Sequence, residues 1–137
     1  MESRLDRVSA NHGLHYNCAQ SVACAYTDLV NADHLTVYRL AEGLGGGLGN
    51  QKGTCGALLG ACAVVGLGNS DGNLEQPASK QSTGAVTARI CDRFEEAVGS
   101  TICGAIKGDG TSEPLMSCHD CMLCAARILE EEFFSGR

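Results

Sequence analysis

The chain has 137 residues, a formal net charge of −6, nine cysteines, few aromatics and no tryptophan. A chain of this length suits one domain around one core, so a single domain spanning residues 1–137 is expected. The acidic balance, with no block of Lys or Arg, argues against a nucleic-acid partner and against an anionic membrane surface.

Helical spacing of apolar residues dominates and no segment reads as a strand, which predicts an all-α fold: a compact bundle of about five or six helices. A first helix is expected over roughly Glu2–Asn11, ended by His12-Gly13. Asn17 reads as an N-cap with Gln20 three residues on, the pattern of a capping box. The helix it opens is expected to run to about Val30, with Val22, Ala25, Tyr26 and Leu29 as its apolar stripe. A third helix, about Ala32–Glu42, is built on Leu35, Val37, Tyr38 and Leu40. The glycine-rich run Gly43–Gly49 follows as tight, permissive backbone. Thr54 is placed to cap a helix from Cys55 to about Val65, closed by Gly66 and Gly68. On that helix Gly56 and Gly60 form a smooth face for a close helix neighbour. After a polar loop with Pro77, a long helix is expected over Gln81–Val98, with Val86, Ile90, Phe94 and Ala97 as its stripe. Gly99–Ser117 reads as irregular. A last helix covers about Cys118–Phe134, with Met122, Ala125, Ala126, Leu129 and Phe133 facing inward.

The residues Met1–Ala10 carry no long apolar run, so no signal peptide is read there. The least polar stretch, Cys55–Leu67, is too short to span a bilayer. Together these predict a cytoplasmic protein. In a reducing cytoplasm structural disulfides are not expected, and an odd number of cysteines cannot pair fully. Metal ligation, thiol chemistry and use of Cys as a small buried apolar residue remain.

Four cysteines share one setting. Cys18 follows the cap Asn17, Cys55 follows Thr54, Cys118 follows Ser117, and Cys103 sits in the glycine-flanked loop Ile102-Cys103-Gly104. Free N–H groups at a helix start favour the thiolate, the form that binds metal and attacks electrophiles. Cys24, Cys62 and Cys91 lie inside helices and read as packing. The run Cys118-His119-Asp120-Cys121-Met122-Leu123-Cys124 has a ferredoxin-like spacing. It continues as helix, however, so its three cysteines fan out over part of a turn. Cys118 is taken as the ligand, Cys121 as the reserve and Cys124 as packed. His15 and His119 read as partly exposed, with support of the nearby Cys18 and Cys118 as the alternative. The glycine run lacks the Lys-Ser/Thr of a phosphate loop.

Four blocks, in order, carry a family resemblance. Asn17-Cys18-Ala19-Gln20-Ser21-Val22 is the first. Gly45–Gly49 with Cys55-Gly56-Ala57-Leu58-Leu59-Gly60 is the second. Cys103-Gly104-Ala105-Ile106-Lys107-Gly108 is the third, and Cys118 with Met122 and Ala125–Glu131 is the last. In these the chain resembles the C_GCAxxG_C_C family of redox-active proteins, which is similar to the iron–sulfur part of split-Soret cytochromes. The resemblance implies four ligand cysteines, here Cys18, Cys55, Cys103 and Cys118, in a helical and dimeric setting. It implies an iron–sulfur cluster, [2Fe–2S] in the first place and [4Fe–4S] as the alternative. His15 stands where the family carries glycine, and Cys121 and Cys124 are additions.

The expectation from residues and resemblance together is a metal-binding, redox-active protein. It would exchange electrons with a partner oxidoreductase, and its partners would include a second copy of itself. Two alternatives stay open: a metal-free thiol–disulfide enzyme using Cys18 or Cys55 as the attacking thiolate, and a structural zinc protein.

Overall fold

The computed structural model describes residues 1–108, 110 and 113–135. Asp109, Thr111 and Ser112 of the segment read as irregular lie outside the described residues. The all-α reading holds. Among the described residues there are seven α-helices: α1 (Leu5–Gly13), α2 (Cys18–Ala23), α3 (His34–Glu42), α4 (Gly56–Asn69), α5 (Lys80–Val98), α6 (Cys103–Lys107) and α7 (Cys118–Leu129). The only extended pairing among them is one isolated antiparallel bridge, Thr54 with Ile102.

Helix α4 is the axis of the bundle. It is apolar on nearly every side and buries Ala57, Leu58, Ala61, Val64 and Val65, as a helix surrounded by others must. Helices α2, α5 and α7 all pack on it. The closest partner is α2, and the pairing depends on glycine. A Cβ at Gly60 would stand 2.6 Å from the Ala19 carbonyl oxygen, and one at Gly56 would overlap Cys18 Sγ. The smooth face expected at Gly56 and Gly60 is therefore where the two backbones meet.

The capping box at the start of α2 is present. The Asn17 side chain accepts from the Gln20 N–H at 2.8 Å, and the Gln20 Oε1 accepts from the Asn17 N–H at 2.9 Å. The helix stops at Ala23, short of the expected Val30. Its last N–H groups reach back only three residues, Ala25 to Val22 and Tyr26 to Ala23, and a separate tight turn covers Thr27–Val30. This break turns Tyr26 fully inward, where its hydroxyl donates to Glu130 at 2.6 Å. The same Glu130 oxygen accepts from the Arg4 N–H at 2.8 Å, tying the N-terminus, α2 and the end of α7 together.

Other boundaries shifted for local reasons. Asp33 caps α3 by accepting from the Thr36 N–H at 2.9 Å. Helix α3 buries Val37 and Ala41, while Leu35 and Leu40 of the expected stripe are 61% and 62% exposed. Thr54 does not cap α4: it is spent in the bridge to Ile102, and Cys55 takes the cap position. Gly66 and Gly68 do not end α4 either. The helix runs on to Asn69, and Gly68 fits where a side chain would meet Val30 and Phe133. Helix α5 buries Ile90, Phe94 and Val98, one turn apart each, and ends on Gly99 at φ +104°. Ala97 lies outside that stripe. Ser117 caps α7 by accepting from the Asp120 N–H at 3.1 Å, and a wider turn, Glu130–Phe134, follows it.

Among the described residues, no helix is long and apolar enough to cross a membrane.

Candidate functional site

The site lies at the N-terminal end of α4 and is assembled by backbone. Residues 53–55 pair with residues 101–103: the Cys55 N–H donates to the Thr101 carbonyl at 2.7 Å, and the Cys103 N–H donates to the Gly53 carbonyl at 2.9 Å. This sets Cys55 and Cys103 side by side although they are distant in sequence. The Leu115 N–H donates to the Ile106 carbonyl at 2.8 Å, folding the chain back so that α7 starts over α6.

Behind this pairing lies the glycine coil. Gly46, Gly47, Leu48, Gly49 and Gln51 all have positive φ, a conformation that only glycine takes without cost. At Gly47 the requirement is double: φ is +61°, and a Cβ would stand 2.5 Å from Cys103 Cβ. The coil thereby seats Cys103 at the head of α6, which replaces the loop expected there.

The result is a pocket lined by Cys55, Cys103, Ile106, Lys107, Met116, Cys118 and Cys121. Its free volume is about 10 Å³, room for roughly one water. Cys55 is 6% exposed and Cys121 2%. Cys121 lines the pocket beside Cys55, and interaction with its thiol is the chief reason the Cys55 thiol is pulled well below its ordinary value. Burial opposes the shift, but the Leu58 and Ala57 N–H groups, free at the helix start, also point at the sulfur, and the Lys107 ammonium adds to them. Cys121 moves the opposite way. Holding its proton toward the Cys55 thiolate, and being buried, it is strongly raised. Of the two, Cys55 is the thiol favoured to ionise and Cys121 the one favoured to keep its proton.

The neighbouring thiols stay neutral. Burial raises both Cys103 and Cys118, and Lys107 only partly offsets this. Lys107 also hydrogen-bonds to Cys118. Cys124 is buried and raised for the same reason, with Arg127 beside it. Cys24 and Cys62 are pushed up to about 11, chiefly by burial. These two and Cys124 behave as the packed thiols that their positions predict. Both histidines noted near the cysteines are exposed. His119 lies 3.0 Å from Ser9 Oγ, and neither lines the pocket.

The structure corrects the expectation of an iron–sulfur centre. Of the four expected ligands, Cys55, Cys103 and Cys118 line the pocket, joined by the reserve Cys121, whereas Cys18 lies outside its lining, against Gly56, yet near enough to Cys103 and Cys118 to help raise both. Among the described residues, no group of three or more His, Cys, Asp or Glu side chains is arranged to hold a metal ion. The physical reason is visible in the pocket. The Cys55 sulfur is engaged with Cys121, an ammonium group stands among the thiols, and the space between them admits about one water. The [2Fe–2S] and [4Fe–4S] assignments, and the metal-binding, redox-active and electron-transfer roles built on them, are overturned. Structural zinc falls by the same finding. All nine cysteines are free thiols.

Two features of the site escaped the sequence reading: the pairing of Cys55 with Cys121, and Lys107. For Lys107 a signal existed. It lies four residues after Cys103, the spacing that puts two side chains on one face of a helix.

Neither a curated protein nor a solved structure matches the chain. Residues 16–132 match the model of the family described as "Putative redox-active protein (C_GCAxxG_C_C)". The match takes in every cysteine of the pocket and the glycines that position them, and the chain belongs to that family.

Proposed function

We propose that the chain acts through nucleophilic thiol chemistry at Cys55, with Cys121 as the group that holds and releases the proton. The observation that carries this reading is the place of Cys55, at the N-cap of α4 and in one pocket with Cys121 and Lys107. A thiolate is the nucleophilic form of cysteine, and helix N–H groups and a nearby ammonium both favour it. The reaction is a displacement. Cys55 sulfur forms a bond to a soft electrophilic atom as the bond from that atom to its leaving group breaks. Once Cys55 has reacted, its charge is gone, and Cys121 loses the neighbour that held its proton. That proton is then free to pass to the leaving group, as general acid catalysis requires.

The family match supports the reading in that its residues include Cys55 and Cys121 and the glycines around them. Free thiols throughout the chain fit a reducing compartment, and the cytoplasm is the compartment we propose.

The test is alkylation with iodoacetamide across pH, followed by peptide mapping. Cys55 is expected to label first, with a midpoint well below the ordinary thiol value of about 8.5. Cys121→Ala, which leaves no donor at that position, is expected to move the midpoint upward by about a unit and so to slow Cys55 labelling at pH 7 about twofold, from a starting value of about 6. A Cys55 that titrates like a free thiol in the intact protein would remove the reading.

A further inference from the structure

We propose that Lys107 selects the electrophile taken by Cys55, favouring a small molecule that bears a negative charge. The inference rests on the thiolate reading above and names the substrate class for that site.

The argument starts from what lines the pocket. Of the seven residues there, four are cysteines, two are the apolar Ile106 and Met116, and one is Lys107. Lys107 is thus the only lining side chain with a fixed charge. It occupies the last turn of α6, four residues beyond Cys103, and the Leu115–Ile106 hydrogen bond folds residues 115–118 back over that helix. Among the described residues, no carboxylate forms an ion pair with it. It shares the pocket with Cys55, Cys103 and Cys118 and its charge acts on all three thiols.

An ammonium in a partly enclosed, thiol-lined pocket balances the Cys55 thiolate and so lowers the barrier that an incoming anion meets. An anionic electrophile approaching the Cys55 thiolate would otherwise be repelled, and Lys107 offsets that repulsion at close range. The size limit is independent of the charge. A pocket with about 10 Å³ of free space, room for roughly one water, and a sulfur that is nearly covered oblige any reagent to move the walls, and the more so the bulkier it is. The two constraints together describe a small anion with an electrophilic atom and a leaving group.

The test compares two reagents of one size, iodoacetate and iodoacetamide, by the ratio of their rates at Cys55. Both draw on the same thiolate, so the ratio cancels any change in Cys55 ionisation or in overall stability. Lys107→Met is expected to lower the iodoacetate-to-iodoacetamide ratio about tenfold at low salt, with a smaller effect at high salt. Lys107→Arg is expected to keep most of the wild-type ratio. A ratio that Lys107→Met leaves unchanged, while Cys55 still labels below the ordinary thiol pH, overturns this inference and leaves the thiolate reading standing. A wild-type Cys55 that labels no faster than Cys62 overturns both.

Discussion

Gly60 of α4 faces the main chain of α2 so closely that a Cβ on it would stand 2.6 Å from the Ala19 carbonyl oxygen. The atom in the way is backbone, and it cannot swing aside as a side chain could. Gly60→Ala is therefore expected to push α2 off α4 and lower stability by about 1–3 kcal/mol. Its helix propensity would favour the change by under about 1 kcal/mol, so the net effect is destabilising. Urea unfolding followed by circular dichroism measures it, and Gly84→Ala on α5, where a Cβ meets open space, is the control.

Gly47 joins the fold to the site. It holds φ +61° and leaves no room between itself and Cys103 Cβ. Gly47→Ala would incur about 1–2 kcal/mol of backbone strain and would also displace the head of α6. Cys103, now 5% exposed, is expected to become reactive toward a thiol reagent at neutral pH. Quantifying labelled Cys103 in the variant and the parent checks this.

The shared carboxylate of Glu130 gives an ordering of two variants. Tyr26→Phe removes one donor and leaves the Arg4 N–H to satisfy the carboxylate, so its cost is expected near 1 kcal/mol. Glu130→Ala strands the fully buried Tyr26 hydroxyl as well as the Arg4 N–H. It is expected to cost more, about 2–3 kcal/mol. Thermal melts of both variants and of the double variant test the ordering; a double variant no worse than Glu130→Ala would show that the two residues act as one unit.

Alkaline sensitivity follows from the packed thiols. Cys24 and Cys62 are raised from 9.0 to about 11 by burial. A raised value means that the folded state holds the proton longer than the unfolded chain does. The contribution is therefore whole below pH 9 and is lost as pH rises from there toward 11. Urea midpoints measured between pH 7 and pH 11 should fall over that window. The fall should be shallower in a Cys24→Ala, Cys62→Ala variant.

What the sequence disclosed depended on distance along the chain. The capping box at Asn17 and Gln20, the start of the last helix at Cys118, the inward stripe of α7 and the smooth face of Gly56 and Gly60 are local patterns, and all are present. The misreadings arose where a distant segment intervened. Thr54 has the side chain of a helix cap, but its backbone is claimed by Ile102. The apolar spacing of the second helix continues to Val30, but the chain kinks after Ala23 to send Tyr26 to Glu130. Helical spacing fans Cys121 away from Cys118 and so makes it only a reserve ligand. That argument is sound within α7 and says nothing of Cys55, which reaches Cys121 from another helix.

The two main-chain hydrogen bonds between residues 53–55 and 101–103 also determine which sequence changes the site can absorb. Because the spacing of Cys55 and Cys103 is written in amide groups, the side chains at Thr54 and Ile102 are free to drift without moving either sulfur. Proline is the exception: at position 55 or 103 it would delete an N–H on which the register depends. Relatives that share the arrangement are expected to vary at 54 and 102 while excluding proline from the neighbouring positions.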